Sequence, residues 1–111
     1  MLGAAALGDI GTHFSPEDNR YKGIVSLELL SKTIELLKRS RWRVTFVDAT
    51  ILAERLILKP HMGSIRQSLA QALGLTIDSV SVKATTTDSL GFIGHGEGIG
   101  SLAIATIERI A

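Results

Sequence analysis

From Ser81 to Gly100 the chain reads SVKATTTDSLGFIGHGEGIG, a β-type run that breaks into a loop with glycine at every second position from Gly94. Val82, the preceding Val80 and the three threonines are β-branched and suit an extended backbone. The period of two sends Val80, Val82 and Ala84 to one face of the strand and Ser81 and Lys83 to the other. Lys83 and the hydroxyls of Thr85, Thr86 and Thr87 then lie at a strand end, followed by the Asp88 carboxylate and a glycine-rich turn with approachable backbone N–H groups. Such residues together can form an oxyanion or phosphate cradle, with Asp88 suited to a hard cation such as Mg²⁺. On residue types alone, a Thr-rich strand running into a flexible hairpin competes with that reading.

Trp42 to Ala53 is dense in Val, Thr, Ile and Phe and predicts a long, largely buried strand. Val44, Phe46, Asp48, Thr50 and Leu52 fall on one face and Thr45, Val47, Ala49 and Ile51 on the other. Asp48 reads either as a buried carboxylate with its partners or as an interface residue. Ser26 suits the N-cap of a helix through Lys38, whose apolar stripe is Leu27, Leu30, Ile34 and Leu37, opposite Lys32 and Glu35. Pro60 suits the first turn of a second helix, with Met62, Ile65, Leu69 and Leu73 as its stripe and Gly74 just beyond its end. Met1 to Leu7 reads as the last turns of a helix, and Asp9 to Gly23, where Gly, Pro, Asp and Asn accumulate, as a loop longer than an ordinary connection. Ile99 to Ile110 fits strand and helix alike: Leu102, Ile104 and Thr106 alternate with Ala103, Ala105 and Ile107, yet Ala and Leu also favour helix. Helices lying between β segments give an α+β class, a single domain whose mixed β-sheet is covered on one face by helices. The segments 42–53 and 99–110 are apolar on both faces, more than two helices can cover, so a further packing surface is expected.

A chain of 111 residues, 45% hydrophobic, with two prolines, is long enough to bury about two thirds of its unfolded surface. A net charge of +1 argues against a nucleic-acid binder, and the basic cluster Lys38, Arg39, Arg41 and Arg43 begins where a helix ends, a place that attracts cations. No uncharged apolar run approaches eighteen residues and no basic segment precedes an apolar one, so neither a membrane span nor a signal peptide is expected. The absence of cysteine excludes disulfides and thiolate metal sites and fits a cytoplasmic protein.

Lys83-Ala-Thr-Thr-Thr-Asp-Ser-Leu-Gly-Phe92 followed by Gly94-His-Gly-Glu-Gly-Ile99 resembles the C-terminal signature of 2-C-methyl-D-erythritol 2,4-cyclodiphosphate synthase, a lyase of non-mevalonate isoprenoid biosynthesis. Leu2-Gly-Ala-Ala-Ala-Leu-Gly-Asp-Ile-Gly11, and Val47-Asp-Ala-Thr-Ile-Leu-Ala53 with Pro60-His61 after it, are similar to further stretches of that family in the same order. The resemblance spans essentially residues 1–111 and favours strand over 99–110.

The resemblance implies a cyclase that converts 4-diphosphocytidyl-2-C-methyl-D-erythritol 2-phosphate to the 2,4-cyclodiphosphate and CMP, working as a trimer with active sites between neighbouring subunits. It would place Asp9, Ile10, Gly11, Phe14 and Asp18 on walls of the substrate pocket, although Ser15 and Pro16 stand where the family has proline and then aspartate. Ala53, Glu54, Arg55, Leu56, Ile57, Leu58 and Lys59 fall where the family holds the cytidine moiety. Leu56 and Ile57 replace its proline-lysine pair, which leaves Lys59 to reach in. Thr85, Thr86, Thr87 and Asp88 would meet the diphosphate, with Thr86 steadying transition-state charge and Asp88, in place of the family's glutamate, holding Mg²⁺ (or Mn²⁺). Phe92 is in register with the signature. His95 stands where the family has an arginine that, with Glu97, lines a central cavity for an isoprenoid diphosphate, and histidine makes such a contact pH-dependent. The family's zinc ligands fall upstream of Met1, so Zn²⁺ is expected only for a longer chain, this one reading as N-terminally truncated; His13, His61 and His95 show no ligand spacing. The 111 residues alone are therefore expected not to turn over, with a trimeric nucleotide- or phosphate-binding module as the alternative function and a purely structural trimerising domain as the third.

Overall fold

The strand expected over 42–53 is the middle of the sheet. In the computed structural model, which describes all residues from Met1 to Ala111, β1 (Trp42–Leu52) lies between β2 (Val80–Thr85), parallel to it, and β3 (Gly100–Arg109), antiparallel. The ambiguous C-terminal segment is thus a strand. Two longer helices, α2 (Ser26–Arg39) and α3 (Met62–Leu73), pack on one face, and two single-turn helices, α1 (Ile10–His13) and α4 (Gly91–Gly94), lie in the loops. No helix is long and apolar enough to cross a membrane.

The strict two-residue alternation expected in β1 fails at one place. The pairing with β3 shifts between Val44 and Phe46, a bulge at Thr45, whose hydroxyl hydrogen-bonds the Thr106 hydroxyl at 2.6 Å. The extra residue turns Val44 to the helix-covered face, where it joins Val47, Val80, Leu37, Ala70 and Leu73 in the core. Phe46, Asp48, Thr50 and Leu52 remain on the other face. Asp48 is neither buried nor unpartnered: on the half-exposed open face it receives a hydrogen bond from Lys83 Nζ at 2.6 Å.

Helix ends depart from expectation in instructive ways. Ser26 is the first residue of α2 rather than its cap; Val25 holds the cap position and no side chain caps the end. Leu27 is 41% exposed, and Thr33 is buried in its stead, its hydroxyl donating to the Leu29 carbonyl at 3.0 Å. Lys38 and Arg39 occupy the last turn as expected. Pro60 sits in a 3₁₀ turn, Lys59–His61, that leads into α3, and Gly74 closes that helix at φ +68°. Residues 1–7 contain one 3₁₀ turn, Gly3–Ala5, closed by a bond from the Leu7 N–H to the Leu2 carbonyl at 2.9 Å with Ala6 left-handed. That is the six-to-one closure of a helix C-terminus, with alanine in the glycine position.

Only 12 of 111 residues are buried, and the chain exposes 7532 Å², where a compact monomer of this mass exposes about 6,000 Å². The excess has an address. Leu102 and Ile104 on β3 are 69% and 73% exposed and, with Phe46, stand opposite the helices on the open face of the sheet. Between sheet and helices a groove lined by Leu30, Val47, Ile65, Leu69 and Val82 has almost no polar lining and reads as loose packing rather than as a chemical site.

Acid should act on the Asp48–Lys83 pair. The Lys83 hydrogen bond holds the Asp48 carboxyl below its usual 3.8 against a smaller opposing effect of desolvation. A depressed carboxylate contributes stability that is complete above its unfolded pKa and is lost as pH falls through the folded one. Lys83→Met should therefore narrow the gap between the urea midpoints measured at about pH 6 and about pH 3; an unchanged gap would deny the pair any role in stability.

Candidate functional site

Parallel β1 and β2 end at the same edge of the sheet, Leu52 opposite Thr85, and the Ala53 N–H extends the ladder to the Thr85 carbonyl at 3.1 Å. β3 is antiparallel and starts there, Gly100 opposite Leu52. Topology alone therefore delivers three loops to one edge: 53–59 leaving β1, 86–90 leaving β2, and 94–99 entering β3. Carboxyl ends of parallel strands are where open α/β sheets bind ligands, because the diverging loops leave a crevice. Here the crevice is a cavity of about 260 Å³ lined by Ala53, Glu54, Leu56, Leu58, Lys59, Met62, Ala84, Thr85 and Thr86. Two of the expected blocks, 53–59 and 85–88, thus meet within one chain. Lys59 lines the cavity; Ile57 does not and is 79% exposed.

The 87–90 turn is closed by the Leu90 N–H on the Thr87 carbonyl at 3.0 Å. Both central residues, Asp88 at φ +52° and Ser89 at φ +63°, are left-handed, which costs L-residues roughly 1 kcal/mol each. Two contacts hold them there. The Glu54 carboxylate accepts the Thr87 N–H on one oxygen at 3.1 Å and the Ser89 N–H on the other at 3.0 Å, with the Ser89 hydroxyl at 3.3 Å. Gly94 lies against the Ser89 backbone so closely that a Cβ there would sit 2.2 Å from the Ser89 carbonyl carbon. The neighbouring Arg55 side chain lies over Gly96, within 2.9 Å of where a Cβ would be. One dipeptide, Glu54-Arg55, therefore braces the other two loops.

This arrangement narrows the expected cradle. Three amides of the threonine turn are engaged within the chain: Glu54 takes those of Thr87 and Ser89, and the Thr86 Oγ accepts that of Asp88 at 3.3 Å. Lys83 is turned to the open sheet face by its pairing with Asp48. What remains on that turn is side-chain chemistry. The Thr87 hydroxyl is spent on the Leu90 carbonyl at 2.7 Å, and that of Thr85 leans on the Thr86 carbonyl at 3.4 Å. The Thr86 oxygen accepts a hydrogen bond and keeps its O–H to donate. Asp88 is exposed and its carboxylate has no hydrogen-bond partner in the chain. That fits a lone protein ligand for a hard divalent ion, whose other ligands are phosphates and water. No three His, Asp or Glu side chains converge anywhere in residues 1–111, so these residues do not fit a zinc site, which needs three or four protein ligands.

The N-terminal candidates are elsewhere in the chain. Asp9 caps α1, accepting the Thr12 N–H at 2.9 Å and its hydroxyl at 2.8 Å; these bonds, the hydroxyl first, lower its pKa. Ile10 borders a separate cavity with Asp9, and Gly11 lies within α1. Phe14 packs edge-on against Tyr21, with ring centres 5.3 Å apart, and Asp18 is depressed by its hydrogen bonds from Arg20, with which it forms an ion pair at 2.7 Å. His13 bonds the Leu7 carbonyl through Nε2 at 2.7 Å. Phe92 and His95 are exposed on α4 and just beyond it, outside the lining of the 53–59 cavity. The clamp made by the Glu54 side chain and the approach of Gly94 to Ser89 were not foreseeable from local pattern. Their only signals are a carboxylate at the first turn off a central strand and a glycine five residues after the serine it supports.

The YgbB family model matches residues 1–108. The 2-C-methyl-D-erythritol 2,4-cyclodiphosphate synthase of Alkaliphilus oremlandii is 50% identical over 109 residues, which are 98% of this chain and 69% of that protein. Among solved structures, the bifunctional IspDF of Campylobacter jejuni aligns over 98% of this chain and 30% of its own, with a TM-score of 0.91 and 33% identity. IspF of Plasmodium falciparum in complex with CDP aligns over 99% of this chain and 65% of its own, with a TM-score of 0.82; at 24% identity the likeness is one of fold.

Proposed function

We infer, from the fact that the chain belongs to the YgbB family together with the 2-C-methyl-D-erythritol 2,4-cyclodiphosphate synthases, that its three sheet-end loops bind a cytidine diphosphate group with a divalent ion. The observation that carries this reading is the cavity between 53–59 and 84–86, with an unpartnered Asp88 carboxylate on the adjoining turn. The loop 53–59 offers backbone groups to the base. Thr86, whose hydroxyl still has a proton to donate, faces the diphosphate.

In the family's reaction the 2-phosphate oxygen bonds to the β-phosphorus, the bond from that phosphorus to the bridging oxygen breaks, and CMP leaves with the electron pair as the eight-membered ring closes. Little covalent work falls to the protein, and positioning with charge neutralisation dominates. The Thr86 O–H donates to a phosphoryl oxygen as charge gathers there, and Thr85 and Thr87 shape the turn around it. Asp88 would hold Mg²⁺ or Mn²⁺, which supplies neutralisation of phosphate charge. No step is assigned to zinc.

Asp9, Ile10, Gly11, Phe14 and Asp18 lie apart from this cavity in one chain, which supports a site completed across a subunit boundary. The apolar open face and the excess surface support a homotrimer packed through its sheets. Burial of what Leu102 and Ile104 still expose contributes roughly 1–2 kcal/mol each, and that of the half-buried Phe46 less. Light scattering should give three times 11.9 kDa; a stable monomer at micromolar concentration would remove the assembly. His95 and Glu97, both exposed, remain the proposed lining of a central cavity for an isoprenoid diphosphate.

Assay of CMP release from the authentic substrate with Mg²⁺ and Zn²⁺ tests the activity. A phosphoryl-transfer site short of one dication loses several kcal/mol, which is a rate loss of several powers of ten. The 111-residue polypeptide is therefore expected to bind CDP and release CMP at least about a thousandfold more slowly than the Alkaliphilus oremlandii relative. Comparable rates would show that zinc is not needed or that other residues hold it.

A further inference from the structure

We propose that Glu54 is a positioning residue, its carboxylate clamping the Thr87 and Ser89 amides so that Asp88 is held where the divalent ion and diphosphate are bound. The proposal rests on the nucleotide reading above and deepens it. Two adjacent residues without a glycine between them are left-handed in this turn, a conformation that persists only where the surroundings over-determine it. Glu54 supplies that constraint from a different loop, 33 residues from Thr87 and 35 from Ser89 in sequence. It uses both carboxylate oxygens, one for each amide, with the Ser89 hydroxyl as a third donor. The geometry needs two acceptors. A glutamine presents one oxygen and one NH₂, and the NH₂ would face an N–H donor.

Glu54 also lines the cavity beneath the 53–59 loop. Its carboxylate is therefore tied to both parts of the ligand site, so loop 53–59 and the Asp88 turn are fixed relative to each other. Charge supports the division of labour: both oxygens are turned to amide donors, and the anionic carboxylate left open for a cation is that of Asp88.

The test is a double-mutant cycle on CDP affinity in Mg²⁺, with amide hydrogen exchange of the ligand-free protein as a second readout. Glu54→Ala should weaken CDP binding at least about tenfold and Glu54→Gln should fall between it and the unmodified chain. In an Asp88→Asn background Glu54→Ala should cost nothing further, because the carboxylate it positions is gone; a general loss of structure would cost affinity in both backgrounds. Thr87 and Ser89 amides should exchange faster in Glu54→Ala, while those of β1 keep their protection. If the unmodified chain binds CDP and Glu54→Ala binds it equally well, the clamp is overturned and the nucleotide reading stands. If the amides of Thr87 and Ser89 stay equally protected in Glu54→Ala, the clamp is overturned whatever the ligand. If the unmodified chain binds no CDP, the nucleotide reading fails and this proposal falls with it.

Discussion

Asp88→Asn is expected to lower the affinity for CDP in Mg²⁺ by about a hundredfold or more and to make what binding remains insensitive to EDTA. A carboxylate that is a cation's main protein ligand contributes charge that an amide of the same shape does not. The substitution is chosen for the backbone. Asp88 stands at φ +52°, and Asn tolerates that conformation as well as Asp does, whereas Ala adds a strain of roughly 1 kcal/mol that has nothing to do with the ion. Because the Asp88 carboxylate has no partner in the chain, its loss orphans no other group and the thermal midpoint should stay within a few degrees. Calorimetry with and without Mg²⁺ decides the matter. Equal CDP affinity for the two proteins in Mg²⁺ would mean that Asp88 is not the ligand.

Gly94→Ala is expected to do comparable harm through sterics. Its Cβ would meet the Ser89 carbonyl carbon at 2.2 Å, the Cα at 2.7 Å and the carbonyl oxygen at 2.8 Å. All three are backbone atoms, so no side chain can swing away. Either the 87–90 turn moves as a whole, breaking the Glu54 bonds, or α4 shifts and pulls on buried Ile93. Overpacking of this kind costs roughly 1–3 kcal/mol, so the thermal midpoint should fall by several degrees and CDP binding in Mg²⁺ should be lost. Gly91→Ala is the control. Its Cβ meets nothing within 4 Å, though its φ of +69° adds some strain, so its ligand affinity should change far less. Equal loss in the two variants would show that backbone strain, not the contact with Ser89, is what matters.

How much of this was legible in the sequence follows from how local each cause is. The strand expected over 42–53, the two longer helices and Gly74 at the end of α3 rest on periodicity and on one backbone angle, and the structure has them, the strand ending at Leu52. The α+β class followed from their order. The face assignment of Val44 was missed because a bulge at Thr45 is set by pairing with β3, some sixty residues away in sequence. Asp48 looked like a core or interface puzzle until β2 brought Lys83 beside it on the open face. The 85–88 run announced itself by residue type, but the state of its donors did not. That the amides of Thr87 and Ser89 are engaged depends on Glu54, which reaches them only because β1 and β2 are parallel neighbours ending at one edge. Asp9 and Asp18 were legible as acidic loop residues, whereas their hydrogen bonds to Thr12 and Arg20 are products of the local turns.

The most direct test of the account is a calorimetric titration of the unmodified chain with CDP in Mg²⁺, repeated with EDTA and with UDP. The account predicts saturable binding, one CDP per chain, that is strongly weakened by EDTA and by the change of base. No heat at millimolar CDP, or equal affinity for CDP with and without the divalent ion, would contradict it.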